Sequence, residues 1–296
     1  MSNGIIYKAF GLNWNSNSLL IPELPKSQEK KIDVFITTKD SDSLENNYVF
    51  TVKDQHIVLN IKNLANYSIL NGKEIIINKK NNSDEDGLRT YLLGRVMAGI
   101  LIQRGYLLLH ANALEKSGKV IVCAGEKGFG KSTISYILVN KGWRLLTDDL
   151  VAINKNGEVL PGIPRIKLLR GVIKGLKLDI NKFKHLRFNE DKYVISGNDV
   201  NPCFDVNKLS EIYFLEKDDN FDHKNTNKPM LICSERDKLL YLKKNLFRPQ
   251  MIKGLSNESK SRYFIKLAEL AKDVPCFRFH VPKDLMALEA CLNEKF

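Results

Sequence analysis

Cysteine is scarce in this 296-residue chain, and what there is does not pair. The five cysteines (Cys123, Cys203, Cys233, Cys276 and Cys291) are an odd number, lie far apart and form no C-x-x-C spacing, so neither a disulfide framework nor a zinc site is suggested. A reducing cytoplasm is the simplest home for such a chain. Long apolar runs are also missing. No stretch approaches the roughly 18 apolar residues of a membrane span, and Met1-Ser2-Asn3-Gly4-Ile5 lacks the charged start and apolar core of a secretion signal. The reading is a soluble, cytoplasmic protein with no membrane partner. Internal repeats and low-complexity tracts are absent, and the length allows one large or two modest domains, each able to bury a core.

Acids are outnumbered, but unevenly. Residues 1–86 hold 10 Lys+Arg against 11 Asp+Glu, whereas residues 87–296 hold 36 against 23, so the surplus behind the net charge of +12 lies entirely in the later part. Within it, residues 165–192 carry nine Lys/Arg, from Arg165 and Lys167 through Arg187 to Lys192, and three acids. Such a field could steer nucleic acid, an anionic membrane surface, an acidic peptide or ATP, or be a solvated Lys-rich surface. Aromatic residues among these charges are few, Phe183 and Phe188, short of the interleaved stacking platform that nucleic acid would require.

What is present is a complete G-x-x-x-x-G-K-S string, Gly125-Glu126-Lys127-Gly128-Phe129-Gly130-Lys131-Ser132, between the apolar run Val120–Ala124 and a helix-patterned stretch from Ser132 to Asn140. A strand before and a helix after are the context that a phosphate-binding loop needs. Glycines let backbone N–H groups converge on phosphate oxygens, and the helix adds its positive N-terminal dipole. Gly125, Gly128, Phe129, Gly130, Lys131, Ser132 and Thr133 are the candidate nucleotide contacts. Lys131 would reach the β- and γ-phosphates of ATP, and the Ser132 hydroxyl would lie on Mg2+.

The rest of the chain reads as α/β. Before residue 80 the pattern is β-like: Ile32–Thr37, Tyr48–Val52, His56–Ile61 and Glu74–Asn78 are short β-branched and aromatic runs, and Asn71-Gly72 signals a type I′ hairpin. The polar stretch 81–86 is a candidate linker. The division is therefore a β-rich N-terminal domain, 1–86, and a nucleotide domain, 87–296. Gly87–Arg104 has the apolar spacing of one buried helix of about five turns. Gly105–Leu114 reads as a strand, Ser117-Gly118 as a turn, and Arg144–Asp149 as a strand ending in two carboxylates that could neighbour the strand feeding the loop. Asn156-Gly157 marks a hairpin. The tail reads as a strand at 211–215, helices near 234–247 and 258–272, a strand at 276–281 and a closing helix from Lys283.

Phosphoryl transfer to an alcohol requires a carboxylate that holds the metal and profits from a second that orients the hydroxyl and accepts its proton. Asp148 and Asp149 supply both. In regular β geometry neighbouring side chains point to opposite faces, but at a strand's end the chain turns and both can converge. His110 ends an apolar run. If strands 106–114 and 120–124 pair antiparallel through the Ser117-Gly118 turn, it lies near the carboxyl end of the strand feeding the loop, in reach of a γ-phosphate or a carboxylate. His56, His185, His223 and His280 have no such placement and are read as structural or surface residues.

Leu109-His110-Ala111-Asn112-Ala113, the 125–132 loop, Lys141-Gly142-Trp143-Arg144-Leu145-Leu146 and Asp148-Asp149 together resemble the HPr serine kinase/phosphorylase catalytic fold. With Leu92-Leu93-Gly94-Arg95-Val96 and Pro161-Gly162-Ile163-Pro164-Arg165-Ile166-Lys167-Leu168, the chain is more similar still to the HPr-kinase-like proteins of peptide-modification clusters, lasso peptide precursor kinases among them. The resemblance covers about residues 88–170 well and the rest weakly. It implies a P-loop kinase core of the HPr-kinase type preceded by a smaller β-rich domain, transferring phosphate from ATP to a serine hydroxyl of a peptide or small protein, with the C-terminal serine of a lasso precursor as the candidate acceptor. It also implies Lys131 and Ser132 at the phosphates and Mg2+, Asp148 or Asp149 as base, His110 at the transferring phosphate, and a homo-oligomer, since HPr kinases assemble into hexamers. Arg165 and Lys167 are the candidate substrate contacts. Thr133 stands where HPr kinases usually carry Glu, and the downstream phosphorylase signature is not found, which counts against HPr as substrate and against reversal. Two rival readings are a nucleotide-binding switch or assembly ATPase without phosphotransfer, and a nucleic-acid-stimulated ATPase.

Overall fold

A computed structural model describes residues 4–42, 47–186, 191–217 and 229–296; Met1-Ser2-Asn3, Arg187 and His223 lie outside the described residues. The chain divides into two compact units, Met1–Leu108 with Arg248–Ile265, and Leu109–Phe247 with Lys266–Phe296.

In the first unit, β1 (Ile5–Ala9), β2 (Leu12–Ser16), β3 (Val34–Ser41), β4 (Val49–Val52), β5 (His56–Ile61), β6 (Ala65–Leu70) and β7 (Glu74–Lys80) form one sheet in the order β1-β2-β3-β7-β6-β5-β4. Alternate residues of β6 are buried, as expected of a sheet with one face on a core. Asn71 (φ 52°) and Gly72 (φ 65°) take the two positive φ values of a type I′ turn between β6 and β7. The helix expected over Gly87–Arg104 runs unbroken from Glu85 to Gln103, as α1 (Glu85–Tyr91), capped by Asp84, and α2 (Met97–Gln103), with a wide π turn between them at Leu92–Val96. The wide turn changes the helical phase, so Leu88, Leu92, Leu93, Val96, Met97, Ile100 and Leu101 are all buried. A short strand, β8 (Leu107–Leu109), follows. Gly105–Leu114 is therefore two strands broken at His110, not one.

Beyond His110 come β9 (Ala111–Lys116), β10 (Lys119–Ala124), α3 (Lys131–Asn140), β11 (Arg144–Thr147), β12 (Val151–Ile153), β13 (Glu158–Leu160), β14 (Arg165–Leu169), α4 (Arg170–Gly175), β15 (Lys184–His185), β16 (Lys192–Ser196) and β17 (Asn207–Glu216). Then follow β18 (Met230–Leu231), α5 (Glu235–Lys244), α6 (Pro249–Lys253), α7 (Asn257–Asp273), β19 (Cys276–His280) and α8 (Leu285–Lys295). The fold is mixed α/β. In the second unit's main sheet the strands run β11-β9-β10-β17, and β17 continues in parallel to β19, which takes β18 on its far edge. β11 therefore does not neighbour β10. β9 intervenes, because the Ser117-Gly118 turn (φ 52° and 82°) folds it back antiparallel along β10 and leaves only its outer edge for β11. A separate sheet, β14-β16-β15, occupies the segment that in sequence reads only as basic.

The helix after the loop shows what holds this unit. α3 has ten residues, several β-branched or polar, fewer than the ~12–15 an isolated helix needs even with good formers. Packing supplies the difference: Ile134, Ile137 and Leu138 are buried with Ile121 and Cys123 of β10, Tyr213 and Leu215 of β17, and Leu288 and Leu292 of α8. At about 1.5–3 kcal/mol for each large apolar side chain buried, three such residues outweigh the propensity deficit. None of the five cysteines is bridged. Among the described residues no helix is long and apolar enough to cross a membrane, which says nothing of strands.

Candidate functional site

β10 is apolar and buried from Val120 to Ala124, as a strand covered on both faces must be, and the loop leaves its carboxyl end. Gly128 (φ 87°) and Gly130 (φ 88°) adopt left-handed conformations that a side chain resists by roughly 1–2 kcal/mol per residue. Gly125 lies so close to β17 that a Cβ there would sit 3.0 Å from the Leu215 Cβ and 3.1 Å from its carbonyl oxygen. Gly130 is the N-cap of α3 and offers no side-chain cap to the first-turn N–H groups, which have no intrahelical acceptor. Phe129 packs its ring on the core, so it brings only backbone to the loop's concave side. Thr133 is buried in the first turn. Lys131 is also buried, with Nζ donating to the carbonyl oxygens of Gly125 (2.6 Å) and Glu126 (3.2 Å). Burial pushes its ammonium below the ordinary lysine pKa, against the raising pull of Asp149 and Asp148.

The twin aspartates come together with this loop through Ser132, whose hydroxyl donates to Asp148 Oδ1 at 3.2 Å. Asp148 Oδ2 accepts from the Lys167 N–H at 3.3 Å. After Thr147 the chain turns sharply: Leu150 N–H donates to the Asp148 carbonyl at 2.9 Å, closing a three-residue turn centred on Asp149 at φ 67°. That is the φ of a classic γ-turn, a strained conformation of the kind that collects at functional sites. The turn lets neighbouring carboxylates leave regular β geometry. Asp149 pairs with the Lys167 ammonium.

The two environments push the pair apart. Asp148 is 4% exposed, and burial first, then the charge of Asp149, raises it to about 7. For Asp149 burial raises the pKa, but the charge and hydrogen bond of Lys167, helped by the charges of His110 and Lys192, win and hold its carboxyl well below the usual range. Two acidic groups with separated proton affinities are what an acid–base site requires.

His110 lies at the end of the loop strand, since its neighbour Ala111 pairs with Ala124. Its Nδ1 is 3.1 Å from the Asp149 carbonyl, which can only accept, so the proton is on Nδ1. Its N–H donates to the Asn245 carbonyl at 2.8 Å, and its ring lies 6.3 Å from that of Phe247. Arg165 opens β14, two residues from Lys167 and near enough for its charge to act on Asp148. The remaining described histidines stand apart: His56 is exposed, His185 stacks edge-on against Tyr193, and His280 lies 3.4 Å from Glu216.

Asn112 is a site residue that sequence reasoning missed. Fully buried in β9, it donates from Nδ2 to Ser135 Oγ (2.9 Å) and accepts the Asp149 N–H on Oδ1 (3.2 Å), tying the aspartate turn to α3. Its signal was an amide between two alanines in the apolar stretch that precedes Glu115, and a buried amide needs partners. Glu126 of the loop pairs with Lys244 of α5 at 2.8 Å.

Short stretches of the chain are similar to curated proteins. The HPr kinase/phosphorylase of Chlorobium phaeobacteroides (strain BS1) is 38% identical over 53 residues, covering 18% of this chain and 16% of that protein. The HPr kinase/phosphorylase of Clostridium botulinum (strain Eklund 17B / Type B) is 35% identical over 69 residues, 23% of each chain. The matches thus span less than a quarter of those relatives' length. A solved structure, the Hpr(Ser) kinase/phosphatase from Coxiella burnetii, aligns at 15% identity with a TM-score of 0.32, covering 63% of this chain and 94% of that one. No protein-family model matches the chain.

Proposed function

We propose that the second unit binds Mg-ATP at the 125–132 loop and transfers the γ-phosphoryl group to a serine hydroxyl of a peptide or small protein. The observation that carries this reading is the bond from Ser132, the last residue of the loop string, to Asp148, which shares its turn with Asp149. A loop alone could serve a switch; a second carboxylate beside it, on a strained turn, is what an alcohol acceptor adds. The short matches to proteins named HPr kinase/phosphorylase support the same reaction class.

The donor set fits Mg2+. A serine hydroxyl and a buried carboxylate are hard oxygen donors 3.2 Å apart, and the burial that raises Asp148 leaves a charge that a cation would balance. Mg2+ is typically held by one or two carboxylates together with phosphates and water. Ser132 and Asp148 would hold it, and when bound it neutralises charge on the β- and γ-phosphate oxygens. Loop N–H groups and Lys131 hold the phosphates, Lys131 leaving the loop carbonyls for phosphate oxygens. Asp149 orients the serine hydroxyl and takes its proton as the hydroxyl oxygen bonds to Pγ and the bond from Pγ to the ADP oxygen breaks. His110 contacts the transferring phosphate. The acceptor is a serine of a peptide or small protein, and the C-terminal serine of a lasso precursor is the finer form of this proposal.

Incubating the protein with Mg-ATP and serine peptides, candidate precursors included, should add the mass of HPO3 to the serine, with Lys131→Ala inactive. Unchanged peptides across a broad panel, with ATP hydrolysed at the same rate in their absence, would overturn the kinase reading in favour of an ATPase.

A further inference from the structure

The basic segment does not present its charges at random; the small sheet sorts them. In an antiparallel pair, residues directly opposite share a face, and neighbours along a strand alternate. Arg165 lies opposite Ser196, Lys167 opposite Val194, and Leu169 opposite Lys192, while Lys184 on the other side of β16 also lies opposite Val194. Ile166, Leu168, Tyr193 and Ile195 take the alternate positions and are buried in the core of the unit. Arg165, Lys167, Lys184 and Lys192 therefore share the face turned away from that core, at half-buried to exposed positions, and none of the residues of these three strands is itself an acid. Other cations of the segment go elsewhere: Arg170 pairs with Asp191 from α4, and Lys174 is exposed on α4.

This face begins at the site. Lys167 pairs with Asp149, and the charge of Lys192 reaches Asp149 and Lys131. Three strands spaced about 4.8 Å apart put its outer cations roughly 10 Å from one another, within a Debye length at 0.1 M salt. One terminal carboxylate cannot span such a surface; several acidic side chains on an extended segment can. Among the described residues of these strands, no aromatic side chain stands on this face, where nucleic-acid bases would stack.

We infer that the outward face of β14-β16-β15 docks an acidic, extended segment of the acceptor, whose Asp and Glu side chains pair with Arg165, Lys167, Lys184 and Lys192 and set the serine beside Asp149. This rests on the kinase reading for its purpose, but not for its test. A fluorescein-labelled serine peptide with three or four glutamates is titrated with the protein by anisotropy, beside the same peptide with glutamines. The acidic peptide should bind at least about fivefold more tightly, the preference shrinking with salt. Lys184→Gln with Lys192→Gln should weaken it about fivefold, while Lys174→Gln with Lys177→Gln, which removes the same charge at exposed positions off the face, should leave it unchanged. Equal binding of the two peptides, acidic binding untouched by the double variant, or tighter binding of a single-stranded oligonucleotide of equal charge would each overturn the inference. Acidic binding without phosphotransfer would keep the docking face and sink the kinase reading. Transfer to neutral peptides as readily as to acidic ones would do the reverse.

Discussion

At the scale of single residues, the two neighbouring aspartates divide their work by environment. Asp148 is buried, raised to about 7, and bonded to the loop serine; Asp149 is held ionised by Lys167 on a strained turn. Because the folded-state value of Asp148 lies above the unfolded one, the fold binds more protons than the open chain between about pH 4 and 7. The stability of the metal-free protein should therefore fall as pH rises through that window and level off above it. Asp148→Asn should flatten the fall and be more stable than the parent at pH 8, by on the order of 2 kcal/mol, but nearly equal at pH 4. Urea midpoints at the two pH values test this, and parallel profiles in both proteins would contradict it. Asp149→Asn keeps a residue type that tolerates positive φ, so Mg-ATP binding should survive while peptide phosphorylation falls by about 10²–10⁴-fold. Full transfer by that variant would remove Asp149 from the base role. The pair itself was legible because two carboxylates closing an apolar run sixteen residues after Ser132 is a chemical pattern in the sequence. Asn112 and the Lys167 ion pair were not, since both depend on which strands become neighbours.

At the scale of elements, the loop and the turn after α3 use the same backbone conformation for different ends. Gly130 (φ 88°) caps the start of α3, and Gly142 (φ 85°) lies just past its end, where a Cβ would meet no atom within 4 Å. Alanine at either position should cost about 1–2 kcal/mol from the left-handed backbone alone. Only Gly130→Ala should also weaken Mg-ATP binding, by tenfold or more, because it moves first-turn N–H groups that the proposed site aims at phosphate. Unfolding and nucleotide titrations of the two variants separate the effects, and equal nucleotide affinity would argue that the loop does not hold the phosphates. Such glycines could be read in advance, as could the Asn71-Gly72 hairpin, because turn chemistry is local. The position of β9 between β10 and β11, the π turn at Leu92–Val96 and the three-stranded basic sheet could not. Strand order and helical phase follow from which surfaces find cover, and the alternating Ile166, Leu168, Tyr193 and Ile195 lie too far apart along the chain to announce one sheet.

For the whole molecule, the proposed chemistry is confined to residues of one compact unit. The loop, the aspartate turn, His110, Asn112 and the cationic sheet all fall within Leu109–Phe247, and the loop's floor is completed by Leu215 and, past α7, Val281. A ligand that binds only the native state stabilises it by about 2.7 kcal/mol at a hundred times its dissociation constant, and opening equilibria that expose the site should shift by a similar amount. Saturating Mg-ATP should therefore slow amide exchange in the 125–132 loop, the first turns of α3 and residues 147–150, while peptides from β1–β7 should keep their rates. Protection appearing in β1–β7 would mean that the first unit takes part in holding the nucleotide. Protection absent from the loop at saturating nucleotide would place the binding site elsewhere and remove the ground for assigning Lys131, Ser132 and Asp148 to it.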